Sequence, residues 1–197
     1  MKYYGIVILL LVTSACTVVR QMPPEPTVYL LTAVGDPTPV TMPRDAVLRV
    51  AIPRAEPGFE GDGMVYTETP AALYVYRDSR WADAPAQMLT PLLVDTLERT
   101  EAFRAIVTPP GSGRADYQLE VKLLRLQQEF YTTPSQVRLG LRANLIDTSN
   151  RQVVASRAFH TLQPAPTDNA YGGVQAANAA VAALLTEIAE FVVRSLP

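Results

Sequence analysis

The sequence predicts an α+β fold, an antiparallel or mixed β-sheet with two main helices packed on one face. Three observations carry this. Residues 117–162 hold three long alternating runs separated by turn-forming residues, which read as consecutive strands. Two other segments repeat apolar residues at steps of three and four. They are Met88, Leu89, Leu92, Leu93, Leu97, and later Val174, Ala177, Val181, Leu184, Ile188, Phe191. The 197 residues, less a short leader, make a chain of ordinary single-domain size.

The chain opens with signals of export. Lys2 gives a positive start, residues 5–12 are an apolar run, and Thr13, Ser14 and Ala15 are small. The run is too short for a bilayer, which needs about 20 apolar residues, and has the length of a signal-peptide core. Cys16 follows at once and is the single cysteine. Residues 1–15 therefore read as a signal peptide, cleaved between Ala15 and Cys16. The freed thiol can take a thioether-linked diacylglycerol, and the amine a further acyl chain such as palmitate. A lone cysteine in an exported protein has no internal disulfide partner, and acylation accounts for it. The pattern resembles a lipobox, with Thr13 where Leu is usual. Lipid on Cys16 anchors the chain to a membrane. Thr17, in place of an Asp, points to the periplasmic side of the outer membrane, with inner-membrane anchoring the other outcome of that sorting rule.

Residues 16–27 hold the lipidated cysteine and a tether. Pro23, Pro24 and Pro26 keep it extended, with a reach of about 40 Å at most. Residues 28–197 are expected to form one periplasmic α+β domain. Residues 29–31 predict a short first strand and 33–45, rich in Pro, Thr and Asp, a loop. Residues 46–53 predict a strand with Leu48, Val50 and Ile52 on one face. A turn at 57–63 precedes paired strands at 64–67 and 73–76. Asp83 predicts a helix cap before Ala84-Pro85, and Pro91 predicts a kink or the true helix start. Residues 104–107 predict a short strand and 109–113 a loop.

In residues 117–130 the apolar phase moves from Leu119, Val121, Leu123 to Leu124, Leu126, which predicts a bulge. In 137–147, Val137, Leu139, Leu141, Ala143 and Leu145 share one face, and Arg138, Arg142 and Asn144 the other. Residues 147–150 predict a hairpin turn and 152–162 the third strand, so the meander has one wet face. Residues 163–173 predict a loop into the last helix. Ala176, Ala179, Ala180, Ala182 and Ala183 let that helix approach the sheet closely. No second segment reads as long and apolar enough to cross a membrane.

A net charge of −2 argues against a nucleic-acid binder, whose face would be basic. His160 is the only histidine, and a metal site of N and S ligands needs more of them. The chain has neither Gly-x-Ser-x-Gly nor the phosphate-cradling Gly-x-x-x-x-Gly-Lys-Ser/Thr. Glu187 and Glu190, one helical turn apart, read as a solvated face. The chain is thus expected to be no enzyme and to need no cofactor. Tyr74 and Tyr76 share a strand face, Tyr66 is placed to join them, and Trp81 follows. Aromatics with a polar handle are enriched at interfaces, so Tyr74, Tyr76 and Trp81 are candidates for binding a partner or another copy of the chain. Packing of Trp81 beneath the first helix is the competing reading.

The order of these motifs resembles the ABC-type transport auxiliary lipoprotein component family. The resemblance runs through Cys16, Tyr29-Leu30-Leu31 and Leu48-Arg49-Val50-Ala51-Ile52-Pro53. It continues through Tyr74-Val75-Tyr76, Arg80-Trp81-Ala82-Asp83, Pro85, Met88-Leu89 and Leu92-Leu93. Phe103-Arg104-Ala105-Ile106-Val107, Ala115-Asp116-Tyr117-Gln118-Leu119-Glu120-Val121 and the Ala-rich final helix complete it. The Gly-rich connection at 58–63 is longer than that pattern leads one to expect. The resemblance implies an accessory lipoprotein working with an Mce-domain protein, an ABC permease and an ATPase. Such systems move lipids or other hydrophobic molecules between the inner and outer membranes. A structural or assembly lipoprotein that stabilises an outer-membrane protein is the alternative.

Overall fold

The structure is a computed structural model that describes residues 24–111 and 113–196. The signal segment 1–15, Cys16 and Thr17 lie outside the described residues. In chain order the elements are β1 (Thr27–Tyr29), β2 (Arg44–Val50), β3 (Arg54–Ala55), β4 (Gly63–Thr67), β5 (Tyr74–Trp81), α1 (Pro85–Glu98), β6 (Phe103–Val107), β7 (Tyr117–Glu129), β8 (Gln136–Asp147), β9 (Val153–Pro164) and α2 (Ala170–Ser195). The sheet is mixed, with the helices on one face, as the sequence predicts.

The strand β7 is the spine. Along one edge it pairs antiparallel with β8, which pairs antiparallel with β9. Along the other edge lie three short segments, all parallel to it. β2 pairs with Tyr117 to Leu119, β3 with Lys122 and Leu123, and β4 with Gln128 and Glu129. Outside β2 runs β6, parallel; outside β4 runs β5, antiparallel, and then β1, parallel to β5. The broken run β2–β3–β4 has a local cause. Pro53 has no N–H to give a ladder, and the glycines at 58, 61 and 63 favour a turn between β3 and β4.

The bulge expected in β7 is present, with a register shift between Leu123 and Arg125. A strand alternates faces every residue, so one extra residue exchanges the two faces beyond it. Before the shift, Leu119, Val121 and Leu123 point into the core; after it, Leu126 and Gln128 do. Val137, Leu139, Leu141, Ala143 and Leu145 of β8 line the same core. The hairpin turn is fixed by its own side chains: Asp147 Oδ1 accepts from Ser149 N at 2.8 Å, and Asn150 Oδ1 from Gln152 N at 2.8 Å.

The stripe of α2 lies where its spacing puts it. Val181, Leu184 and Ile188 are fully buried, and Phe191 meets Phe159 of β9 edge-on at 5.5 Å. By length and composition α2 does meet the measure for crossing a membrane, contrary to expectation. Its apolar stripe is instead buried in the domain core, as a core helix requires. The segment after β1 is strapped across both helices. Asn178 Oδ1 of α2 accepts from Thr32 N at 2.7 Å and Ala33 N at 3.0 Å. Gly35 N donates to Thr96 of α1 at 2.9 Å, and a Cβ on Gly35 would sit 2.7 Å from Thr186 N of α2, so no other residue fits unshifted.

Several boundaries depart from the sequence reading. β1 begins two residues earlier than expected, and Leu31 leaves the strand to join the core. β2 ends at Val50, and Ile52 is 47% exposed where it was expected on the core face; the chain turns out ahead of Pro53. β5 runs on through Arg80 and Trp81, which belong to a strand rather than to the helix entry. The cap position of α1 is Ala84, and Asp83 accepts from Ala84 N at 2.7 Å from one residue further out. Pro91 is inside α1, not its start, on the exposed face, where solvent can take the carbonyl its missing N–H leaves free. Gln163 and Pro164 extend β9, so the loop into α2 is only residues 165–169. Deleting Leu124 should return Leu126 and Gln128 to the wrong faces and abolish the cooperative urea transition. An unchanged midpoint would show that the bulge is dispensable.

Candidate interaction site

At one end of the sheet β4 and β5 bring aromatic rings together. Tyr66 and Tyr74 are cross-strand partners and therefore share a face. Their rings stack at 5.4 Å, Tyr76 lies 4.7 Å from Tyr66, and Phe130, just past β7, meets Tyr66 edge-on at 5.9 Å. Tyr74 is 43% exposed and forms the outer surface of this cluster, while Tyr76 is half-buried.

Beneath the rings sits a polar hub. Tyr76 donates its hydroxyl to Gln128 Oε1 at 3.0 Å. Gln128 is buried, and its Nε2 donates to Ser135 Oγ at 2.8 Å and to the Asn169 carbonyl at 3.3 Å. Asn169 caps α2 by accepting from Gly172 N at 2.9 Å. Asp168 accepts from Ser135 N at 2.6 Å, and the Ser135 backbone and side chain hold its carboxyl below the usual range. A Cβ on Gly173 would fall 2.2 Å from Gln128 Oε1, so the first turn of α2 needs glycine there to reach the hub. Burial, then the neighbouring Tyr66, Asp168 and Glu68, push the Tyr76 hydroxyl up to about 12, so it remains a donor across neutral pH.

Trp81 does not join this surface. It is only 4% exposed and packs in the core beside Met64 and Leu126, around a void of about 20 Å³. That void has room for one water and none for an acyl chain. The reason is a break in register within β5: Gly63 pairs with Arg80, but Val65 pairs with Val75. Spacing counted along an ideal strand does not survive such a break. The structure thus unites Tyr74 and Tyr76 with Tyr66, as expected, adds Phe130, and sends Trp81 inward. Gln128 was missed from the sequence. Its signal was the bulge phase, which places a glutamine on the core face. His160 is exposed on β9, beside Gly140 of β8.

Residues 29–189 match the family described as ABC-type transport auxiliary lipoprotein component. The crystal structure of protein XCC0632 from Xanthomonas campestris superposes with a TM-score of 0.79 at 25% identity, over 86% of this chain and 95% of that one. A crystal structure of a further uncharacterised protein has a TM-score of 0.69 at 18% identity, over 86% and 99% of the two chains, and shares the fold. Uncharacterised protein bll6063 of Bradyrhizobium diazoefficiens is 30% identical over 115 residues, 57% of this chain and 30% of that protein's length. The chain thus spans under a third of that relative.

Tyr76→Phe leaves Gln128 Oε1 buried without its donor and should cost about 1–3 kcal/mol at pH 9, read from urea unfolding. The raised hydroxyl fixes the sign at higher pH. Tyr76's contribution is complete below its unfolded value and is lost as pH rises from there towards about 12. The gap between wild type and variant should therefore narrow by pH 11. A gap that widens, or none at pH 9, would remove Tyr76 from the hub.

Proposed function

The chain belongs to the ABC-type transport auxiliary lipoprotein component family, and on that premise we propose that it is the accessory lipoprotein of an Mce-type ABC system that moves lipids or other hydrophobic molecules between the inner and outer membranes. The observation that carries this reading is the family match across residues 29–189. In this reading Cys16 carries the lipid, and the tether holds the domain within about 40 Å of the periplasmic side of the outer membrane. The chain supplies a docking surface and no chemistry. Consistent with that, the aromatic cluster ends in an exposed Tyr74 while the hydroxyl of its neighbour Tyr76 is tied down beneath, so that part of the surface is ordered before a partner arrives. The Mce-domain protein is the direct neighbour, and through it the permease and ATPase.

Two measurements test this. Cys16→Ser should move the chain from the membrane fraction to the soluble periplasmic fraction. Retention in the membrane would remove the lipid anchor from the account. A C-terminally tagged full chain, captured from detergent-solubilised membranes, should bring down an Mce-domain protein. Tyr74→Ser should reduce that recovery at a cost to urea unfolding of about 1 kcal/mol, the loss of its ring contact with Tyr66, which leaves the domain folded. Recovery of an outer-membrane barrel alone would favour the assembly-lipoprotein role. Unchanged recovery from the variant would move the docking surface away from Tyr74.

A further inference from the structure

On the opposite face of β4 and β7 from the aromatic cluster lies a cleft of about 440 Å³. Small-molecule sites commonly hold about 300–1,000 Å³. The floor is polar and rigid. Arg138 donates to Glu129 through Nε at 2.7 Å and Nη2 at 2.9 Å, and Gln127 Nε2 donates to Glu129 Oε1 at 2.8 Å. Burial works to raise the Glu129 carboxyl, but those hydrogen bonds outweigh it and hold the group below its ordinary range. Glu129 and Arg138 therefore stay charged and offset one another. Arg125 also lines the cleft, is exposed, and makes no hydrogen bond or ion pair among the described residues. Arg125 acts on Glu129 through space only, so two guanidiniums share one carboxylate and the cleft carries a net positive charge.

The walls are apolar. Phe59 and Pro70 form part of them, with Leu73 51% exposed and Tyr131 46% exposed. Tyr131 shares a hydrogen bond with Thr67 at 3.1 Å, which sets the position of its ring. Both wall loops are held in left-handed backbone. Gly58 has φ 91°, and Ala71 has φ 65°, a conformation that alanine adopts at a cost. A strained alanine in the wall of a concave site, beside exposed leucine and tyrosine, is a feature that stability alone does not favour.

We infer that this cleft binds a small anionic amphiphile, a carboxylate or phosphate monoester on an aliphatic tail. Arg125 meets the anion, and guanidinium pairs well with either oxyanion. Phe59, Leu73 and the Tyr131 ring receive the tail. Glu129, already held by Arg138 and Gln127, fixes the floor and leaves Arg125 to the ligand. Such a site needs no transport partner to be occupied, so its test is independent of the capture of an Mce-domain protein.

Titration calorimetry on the full chain in nanodiscs, with empty nanodiscs as the blank, tests it. The probes are octanoate and octyl phosphate, with acetate, inorganic phosphate and octyltrimethylammonium as comparisons. Octanoate or octyl phosphate should bind above the blank, and their ratio tells which anion the site prefers. The tailless anions and the cation should bind at least about tenfold more weakly, as should the best probe to Arg125→Gln and to Leu73→Ser. Both substitutions fall on exposed side chains and should leave urea unfolding in place. No heat above the blank, equal binding of the cation, or affinity unchanged in both variants overturns the site.

Discussion

Backbone hydrogen bonds leave both edges of β7, antiparallel to β8 on one side and parallel to β2, β3 and β4 in turn on the other. Among the described residues no other strand pairs with so many neighbours, and each depends on the face its partner in β7 presents. The extra residue near Leu124 is what makes this workable. Without it, one half of the strand would offer leucines to the helices and the other half would offer them to water. With it, Leu119, Leu123 and Leu126 share one core, and Gln127 and Glu129, buried beneath the cleft, turn to the opposite face. A bulge of one residue thereby separates two uses of the same strand end, packing on one side and a charged cleft on the other.

The same phase change brings a glutamine into the core beneath the start of α2. An unpartnered amide there would be costly, and the fold answers with Tyr76, Ser135 and the Asn169 carbonyl. These partners come from β5, the β7–β8 turn and the cap of the last helix. A single buried side chain thus fixes the relative position of three segments far apart in sequence. Hydrogen bonds are directional where apolar packing is not, so the hub defines how α2 meets the sheet more sharply than the alanines around it do.

The aromatic cluster and the cleft are two faces of one sheet end. Residues 66–67, 73–74 and 130–131 contribute neighbouring side chains to opposite sides, as alternation requires. In the proposed roles, one face presents aromatic rings to a protein and the other a charged, apolar-walled cleft to a small molecule. Only the sheet separates them, and the void beside Trp81, about 20 Å³, is too small for an acyl chain.

The sequence by itself determined what rests on local periodicity. The meander of β7, β8 and β9, the stripe of α2, the turn at 147–150 and the bulge in β7 were all legible, because each is encoded in side chains a few residues apart. Tyr74 and Tyr76 were legible as a pair for the same reason. Only tertiary structure decided that β2, β3 and β4 line up along β7, since parallel pairing joins segments with no shared local signal. It also decided that Trp81 turns inward, because the register break in β5 spoils counting along the strand. The hub at Gln128 and the cleft around Arg125 belong to the same class: their residues meet through long-range pairing, and a one-dimensional pattern records what each side chain prefers, not which distant side chain it finds.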